Sequence, residues 1–207
     1  MKLLIATHNR GKLIEYRELL AHLPYELLTL DDVGIREDIE ETGATFAENA
    51  RLKAIEYAQQ SGILTLADDS GLEVDALGGE PGVRSKRYAG NGVSDADRNR
   101  FLLSKLREVP RGMRSARFRC VIVIASPRGE TWHADGMCAG EISFEPRGTN
   151  GFGYDPLFYF PERGATMAEL PTEEKNRVSH RARAAQGALK ILQALSTSEF
   201  RSFQVGE

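Results

Sequence analysis

The stretch Ile63-Leu64-Thr65-Leu66-Ala67-Asp68-Asp69-Ser70-Gly71-Leu72-Glu73-Val74 decides how this chain is read. Ile63 to Ala67 is a short apolar run with the pattern of a buried strand. Asp68-Asp69-Ser70-Gly71 reads as an acidic turn at its end, and Leu72-Glu73-Val74 resumes the extended pattern. Two adjacent carboxylates at the end of a buried strand are the feature to explain, and the elements on either side set the fold around them.

Upstream, Lys2 to Ala6 is another apolar strand, followed by a polar link from Thr7 to Arg10. Leu13, Tyr16, Leu20 and Leu23 then fall on one helical stripe that Pro24 ends. Tyr25 to Leu30 reads as a strand and Asp31 to Thr42 as an acidic, turn-rich connection. Thr45-Phe46-Ala47-Glu48 matches a capping box, in which the Thr hydroxyl and the Glu carboxylate satisfy the free amides of a helix start. The helix it opens runs to about Gln60.

Downstream, Gly78 to Gly92 holds five Gly and one Pro and reads as a long loop or a hinge between lobes. Ser94-Asp95-Ala96-Asp97 resembles a second cap and opens a helix through Leu106. Arg117 to Ala125 is rich in β-branched residues and ends at Pro127-Arg128-Gly129, after which Glu130 to Cys138 returns as a hairpin partner. Gly148 to Asp155 is a Gly-rich loop, Leu157 to Phe160 a short strand, and Ser179 to about Leu195 a helix with Ala185, Leu189, Leu192 and Leu195 on one side. The tail from Ser196 is polar and reads as frayed. Strands mixed with helices, plus one hairpin, predict a single α/β domain over 1–207 with a mixed sheet, divided into two lobes near 78–92.

Composition narrows the function. Of 207 residues 41% are hydrophobic and 28% charged, enough for a sizeable core, and the net charge of -3 supplies no basic field for a nucleic-acid polymer. No apolar run approaches the roughly 20 residues that span a bilayer, and the start Met1 to Thr7 is too short for a signal peptide, so the expected location is the cytoplasm, away from membranes. Cys120 and Cys138 lie outside any CxxC or Cys/His cluster and read as buried thiols.

Several segments carry candidate chemistry, with plainer alternatives beside them. Thr7-His8-Asn9-Arg10-Gly11-Lys12 links a strand to a helix start, where free amides and the helix dipole favour a phosphate and Lys12 adds charge. The same residues also suit an ordinary cap with a solvated Lys12. Lys53 falls within the apolar stripe Phe46, Ala50, Ala54 and Tyr57, so it either snorkels to the edge or faces an anion. Glu40-Glu41 and Asp68-Asp69 supply hard oxygen ligands of the kind that suit magnesium, and a carboxylate beside the metal can deprotonate the attacking water. A solvated Asp turn is the alternative. Gly151-Phe152-Gly153-Tyr154-Asp155-Pro156 offers two aromatics for stacking on a base, and Lys175 with Ser179-His180-Arg181 offers donors to a purine edge or phosphate. A Gly-rich turn and a Ser N-cap would look alike.

Taken together, Thr7-x-Asn9-x-x-Lys12, Glu40-Glu41-Thr42-Gly43 leading to Thr45-Phe46-x-Glu48-Asn49-Ala50, Ala67-Asp68-Asp69-Ser70-Gly71-Leu72, Gly151 to Pro156 and Ser179-His180-Arg181 resemble the inosine-triphosphate pyrophosphatase family, which is Ham1-like. The resemblance covers nearly the whole chain. It implies hydrolysis of ITP, dITP and XTP to the nucleoside monophosphate and pyrophosphate, a nucleotide-pool housecleaning activity, with magnesium and a homodimer. It implies an elongated two-lobed fold, with a long central mixed sheet flanked by helices and a substrate cleft between the lobes. By the same carry-over Asp69 is the catalytic carboxylate, and Glu41 with Asp69 or Asp68 holds the metal. Thr7, His8, Asn9, Arg10, Gly11, Lys12 and Lys53 grip the triphosphate, while Ser70, Phe152, Gly153, Tyr154, Asp155, Lys175, His180 and Arg181 line the nucleoside. His8 stands where many members have Gly, and Lys86 where a small residue is expected. Two other readings remain: a Maf-like pyrophosphatase acting on pyrimidine or modified nucleotides, and a nucleotide-binding sensor that does not hydrolyse.

Overall fold

Leu3, Leu4 and Ile5 are all buried, which is why the first strand, β1 (Lys2–Ile5), sits inside a sheet rather than at its edge. The computed structural model describes the backbone of residues 1–204 and side chains through residue 197. From β1 the chain passes through α1 (Arg10–Leu19) to β2 (Glu26–Thr29), then α2 (Phe46–Ser61) and β3 (Thr65–Val74). It continues through α3 (Asp95–Lys105), β4 (Ser115–Ala125), β5 (Thr131–Ile142), β6 (Phe158–Phe160), β7 (Ala165–Thr166), α4 (Thr172–Val178) and α5 (His180–Gln204).

The seven strands form one sheet in the order β2-β1-β3-β4-β5-β6-β7. β1 pairs in parallel with β2, Lys2 opposite Glu26 through Ile5 opposite Thr29, and with β3, Leu4 opposite Thr65. β5–β6 and β6–β7 are antiparallel. β4 and β5 are neighbours joined by a turn in which Ser126 N donates to Glu130 O and Gly129 N to Ser126 O, too short for the crossover that a parallel pair needs. The sheet is therefore mixed and flanked by helices, as the sequence predicts.

Two compact units share the chain. The first contains Met1–Asp69, Val121–Gly136 and the chain from Arg183. Its core includes Leu3, Leu4, Ile5, Tyr16, Leu20, Ala50, Ala54, Tyr57, Leu66, Ile122, Ile124 and Leu192. α5 packs closely on β5 within it: a Cβ on Gly187 would come within 2.8 Å of the Ala134 Cβ. The second contains Ser70–Cys120 and Met137–Ala182, with a core of Leu72, Val74, Leu102, Leu106, Phe118, Cys138, Ile142, Tyr154, Leu157, Phe158, Met167 and Leu170. The loop 78–92 falls wholly inside this second unit.

One reading of the sequence is corrected. Asp68-Asp69-Ser70-Gly71 is not a turn: β3 runs unbroken from Thr65 to Val74, with Asp68 and Asp69 buried in it. Asp and Gly are poor strand formers, but strand preference yields to the environment the fold supplies, and here lysine and amide partners answer the carboxylates. At the other end of the chain, α5 continues past Leu195 to Gln204, and residues 205–207 of the expected frayed tail lie outside the described residues. Ser196 and Thr197 do not stop it because their hydroxyls donate back to the carbonyls of Gln193 and Ala194. Cys120 and Cys138 are both buried thiols, and among the described residues no helix is long and apolar enough to cross a membrane.

Candidate active site

In the first unit, the link from β1 to α1 serves as both cap and charge mount. Asn9 is the N-cap, its Oδ1 accepting from Lys12 N at 3.1 Å, while Asn9 N donates to Thr7 Oγ1 at 3.2 Å. The capping alternative is thus half of the answer. The other half fails, because Lys12 is not solvated: its Nζ stands 3.0 Å from both carboxylate oxygens of Asp68. His8 Nε2 lies 3.9 Å from the exposed Asp38 carboxylate, and Arg10 is exposed.

α2 brings the second lysine. The capping box at Thr45 is complete, with Thr45 Oγ1 accepting from Glu48 N and the Glu48 carboxylate from Thr45 N. Eight residues on, and two turns up the helix, Lys53 Nζ donates to Glu41 Oε1 at 2.7 Å and to the backbone oxygen of Asp68 at 2.8 Å, and lies 4.0 Å from Asp69 Oδ1. The lysine in the apolar stripe therefore faces anions. Burial pulls its ammonium toward neutrality, but Asp69, Glu41 and Asp68 outweigh this and hold it above the usual lysine value. Burial likewise pushes the Asp69 carboxyl up, the neighbouring Glu41 charge adding to the rise while Lys53 and Lys12 oppose it. A carboxylate raised in this way is a better proton acceptor than an ordinary Asp.

Asn49, quoted in the family motif but given no role in the sequence reading, orients that carboxylate. It is fully buried, its Nδ2 donates to Asp69 Oδ2 at 3.1 Å, and its Oδ1 accepts from Gly43 N at 2.7 Å. Because a backbone N–H only donates, the amide has one allowed orientation. The available signal was its spacing: Asn49 and Lys53 are four apart and share a helix face.

Glu41, Asp68 and Asp69 are all hard oxygen donors, which fit magnesium or a similar cation. Among the described residues no group of three or more His, Cys, Asp or Glu is gathered tightly enough to enclose a metal by itself. Magnesium typically uses one or two carboxylates and completes its shell with water and substrate phosphates, so this donor set matches that manner of binding.

In the second unit a separate cluster forms around Phe152. Arg181 lies with its guanidinium 5.6 Å from the Phe152 ring centre, and Lys175 Nζ is 4.9 Å from the same centre. Arg181 also donates to Ser70 Oγ at 2.9 Å. Asp155 Oδ2 accepts from Lys175 Nζ at 2.5 Å and from Phe152 N at 2.9 Å. Gly151 has a positive φ of 77°, and a side chain there would land on the Asp155 carboxylate, so the loop needs glycine for both conformation and room. His180 stacks on Phe118, ring centres 4.6 Å apart and planes at 15°. Tyr154 belongs to the core, its hydroxyl donating to Ser85 O. Gly153 is held by Asp95 and Asn99 of α3, two residues the sequence reading did not single out. Lys86 is exposed.

A model of the Ham1 family matches residues 3–191. A dITP/XTP pyrophosphatase of Desulforamulus reducens is 51% identical over 195 residues, covering 94% of this chain and 97% of that one. One of Geobacter sulfurreducens is 53% identical over 183 residues, covering 88% and 92%. Among solved structures, a HAM1 protein from Coxiella burnetii superposes with a TM-score of 0.85 at 43% identity, covering 94% of this chain and 99% of that one. The family match runs through both units and every motif that first suggested the family. The chain belongs to the Ham1 family.

Proposed function

We propose that this protein hydrolyses non-standard purine nucleoside triphosphates, ITP, dITP and XTP, to the nucleoside monophosphate and pyrophosphate. The observation that carries the reading is the cluster of Lys12 and Lys53 locked among Glu41, Asp68 and Asp69. Its pairs hold two ammoniums in position, ready to exchange carboxylate partners for phosphate oxygens. The names of the relatives, dITP/XTP pyrophosphatases, support the substrate class.

On this reading Asp69 accepts a proton from the attacking water, its raised proton affinity suiting it to that work, and Asn49 fixes which way the carboxylate faces. Lys12 and Lys53, with the Thr7 to Gly11 backbone at the start of α1, take up the charge of the triphosphate. Glu41 and Asp69, with Asp68 in support, would hold a divalent cation, which would supply Lewis-acid polarisation of phosphate oxygens. The bond between the α-phosphorus and the bridging oxygen breaks, and pyrophosphate leaves. Phe152 offers its ring to the base, and Arg181 and nearby amides donate to a 6-oxo atom. Adenine presents an amino donor there, which would leave buried donors facing each other unpaired. The same reading takes the protein to act in the cytoplasm as a homodimer, the latter checked by light scattering.

The test is product identification. With magnesium and ITP, purified protein should release pyrophosphate and IMP rather than orthophosphate and IDP, and Asp69→Asn should lower kcat by about 100- to 10,000-fold. Orthophosphate as first product, or Asp69→Asn at full rate, would defeat the reading.

A further inference from the structure

α3 opens on Asp95 and carries Asn99 four residues on, so the two side chains leave the same face of the helix. Both close on one residue. Asp95 Oδ2 accepts from Gly153 N at 2.7 Å, and Asn99 Nδ2 donates to Gly153 O at 3.1 Å. A peptide N–H can only donate and a carbonyl oxygen only accept, so the polarity of both bonds is fixed: a carboxylate on one side and an amide NH2 on the other. Asp95 is itself held by Arg98, whose Nη1 stands 2.5 Å from Asp95 Oδ1 while Nη2 donates to Val93 O at 3.0 Å.

Gly153 needs this hold. Its φ of +63° lies in the left-handed region, and a Cβ built there meets nothing within 4 Å, so its demand is conformational rather than spatial. A glycine with both polar groups untied is the loosest point a loop can have. Next to it in the chain is Phe152, whose ring lies against the Lys175 and Arg181 cations.

We infer that Asp95 and Asn99 form a backbone clamp on Gly153 that positions the Phe152 ring for the purine base, making them positioning residues for base binding. The inference rests on the reading of Phe152 as the base-stacking residue. The clamp acts on substrate affinity and leaves the chemical step alone, because Lys12, Glu41, Lys53, Asp68 and Asp69 pair with one another without it.

The test uses the full chain with magnesium and ITP. Asp95→Ala removes one bond of the clamp. Asn99→Asp keeps the shape of the side chain but sets an acceptor against the Gly153 carbonyl, so it opens the other bond with little change in packing. Each should raise KM for ITP about five- to tenfold with kcat within about twofold, as expected for the loss of one ordering hydrogen bond. Asp97→Ala, in the same helical turn but bonded to Ser94, serves as the control for lost negative charge at the helix start and should leave KM unchanged. Phe152→Ala measures the underlying reading. If it raises KM while Asp95→Ala and Asn99→Asp do not, the clamp is refuted and the base-stacking reading stands. If Phe152→Ala also leaves KM unchanged, the base-stacking reading falls and takes the clamp with it. A fall in kcat equal to the rise in KM would likewise overturn a role confined to base binding.

Discussion

Replacing Lys53 by Met keeps most of the unbranched side chain and removes its charge together with its hydrogen-bond donors. In the native protein the ammonium lies 2.7 Å from Glu41 Oε1, 2.8 Å from Asp68 O and 4.0 Å from Asp69 Oδ1, with 12% of the side chain exposed. Removing one partner of a buried pair costs about 3–5 kcal/mol, because it leaves a charge without compensation. Two features reduce that figure here. The Glu41 side chain is 23% exposed and is partly solvated, and Lys12 remains on Asp68. The expected loss is therefore about 2–3 kcal/mol. For a chain of this size each kcal/mol moves Tm by about 2–4 °C, so Tm should fall by roughly 4–12 °C in thermal unfolding without nucleotide or divalent ions. Adding Glu41→Gln removes one of the stranded carboxylates and should restore about 1 kcal/mol. A Lys53→Met protein melting with the wild type would refute the idea that this lysine neutralises the cluster. A double variant no more stable than the single would show that Glu41 does not carry the penalty.

Two further outcomes follow from the same geometry. Because the folded Lys53 value lies above the ordinary 10.5, its stabilisation is fully present below that pH and is lost as pH rises through the folded value. The stability difference between wild type and Lys53→Met should thus stay flat from neutrality and shrink only above 10.5, whereas a difference that faded near neutral pH would contradict the assignment. Gly151→Ala and Gly164→Ala both force alanine into left-handed backbone, at φ of 77° and 65°. The Gly164 site is open and should lose only about 1–2 kcal/mol, while at Gly151 the new Cβ meets the Asp155 carboxylate and should cost more and raise KM for ITP. Equal losses of stability and equal KM values in the two variants would show that Asp155 is not held against Gly151.

Much of the fold was legible because its signals are local. The capping box at Thr45, the stripe Phe46, Ala50, Ala54 and Tyr57, and the turn between β4 and β5 all lie within windows of a few residues. The acidic segment was misread because its partners are distant in sequence: Lys12 reaches Asp68 across 56 residues and Arg181 reaches Ser70 across 111. No local window contains them. α4 was missed since seven residues carry no full apolar stripe, although Pro171 at its start and Glu173 and Glu174 in its first turn are ordinary helix-entry signals. In the site, the misplaced Lys53 announced itself, because charge in an apolar stripe demands an explanation. Asn49, Asp95 and Asn99 gave no comparable warning. A polar residue inside a helix is unremarkable until its partner is known, and theirs, Asp69 and Gly153, come from other elements.

Specificity is the most direct measure of the proposed activity, since any triphosphate would satisfy the lysines while only the base distinguishes a housecleaning enzyme. The measurement is kcat/KM for pyrophosphate release from ITP, XTP, ATP, dTTP and UTP under one set of conditions with magnesium. The account predicts ITP and XTP ahead of ATP by at least about 100-fold, the discrimination expected when buried donors are left unpaired. Equal values for ITP and ATP would contradict it, dTTP or UTP well ahead of ITP would indicate a Maf-like enzyme, and tight ITP binding with no turnover would indicate a sensor.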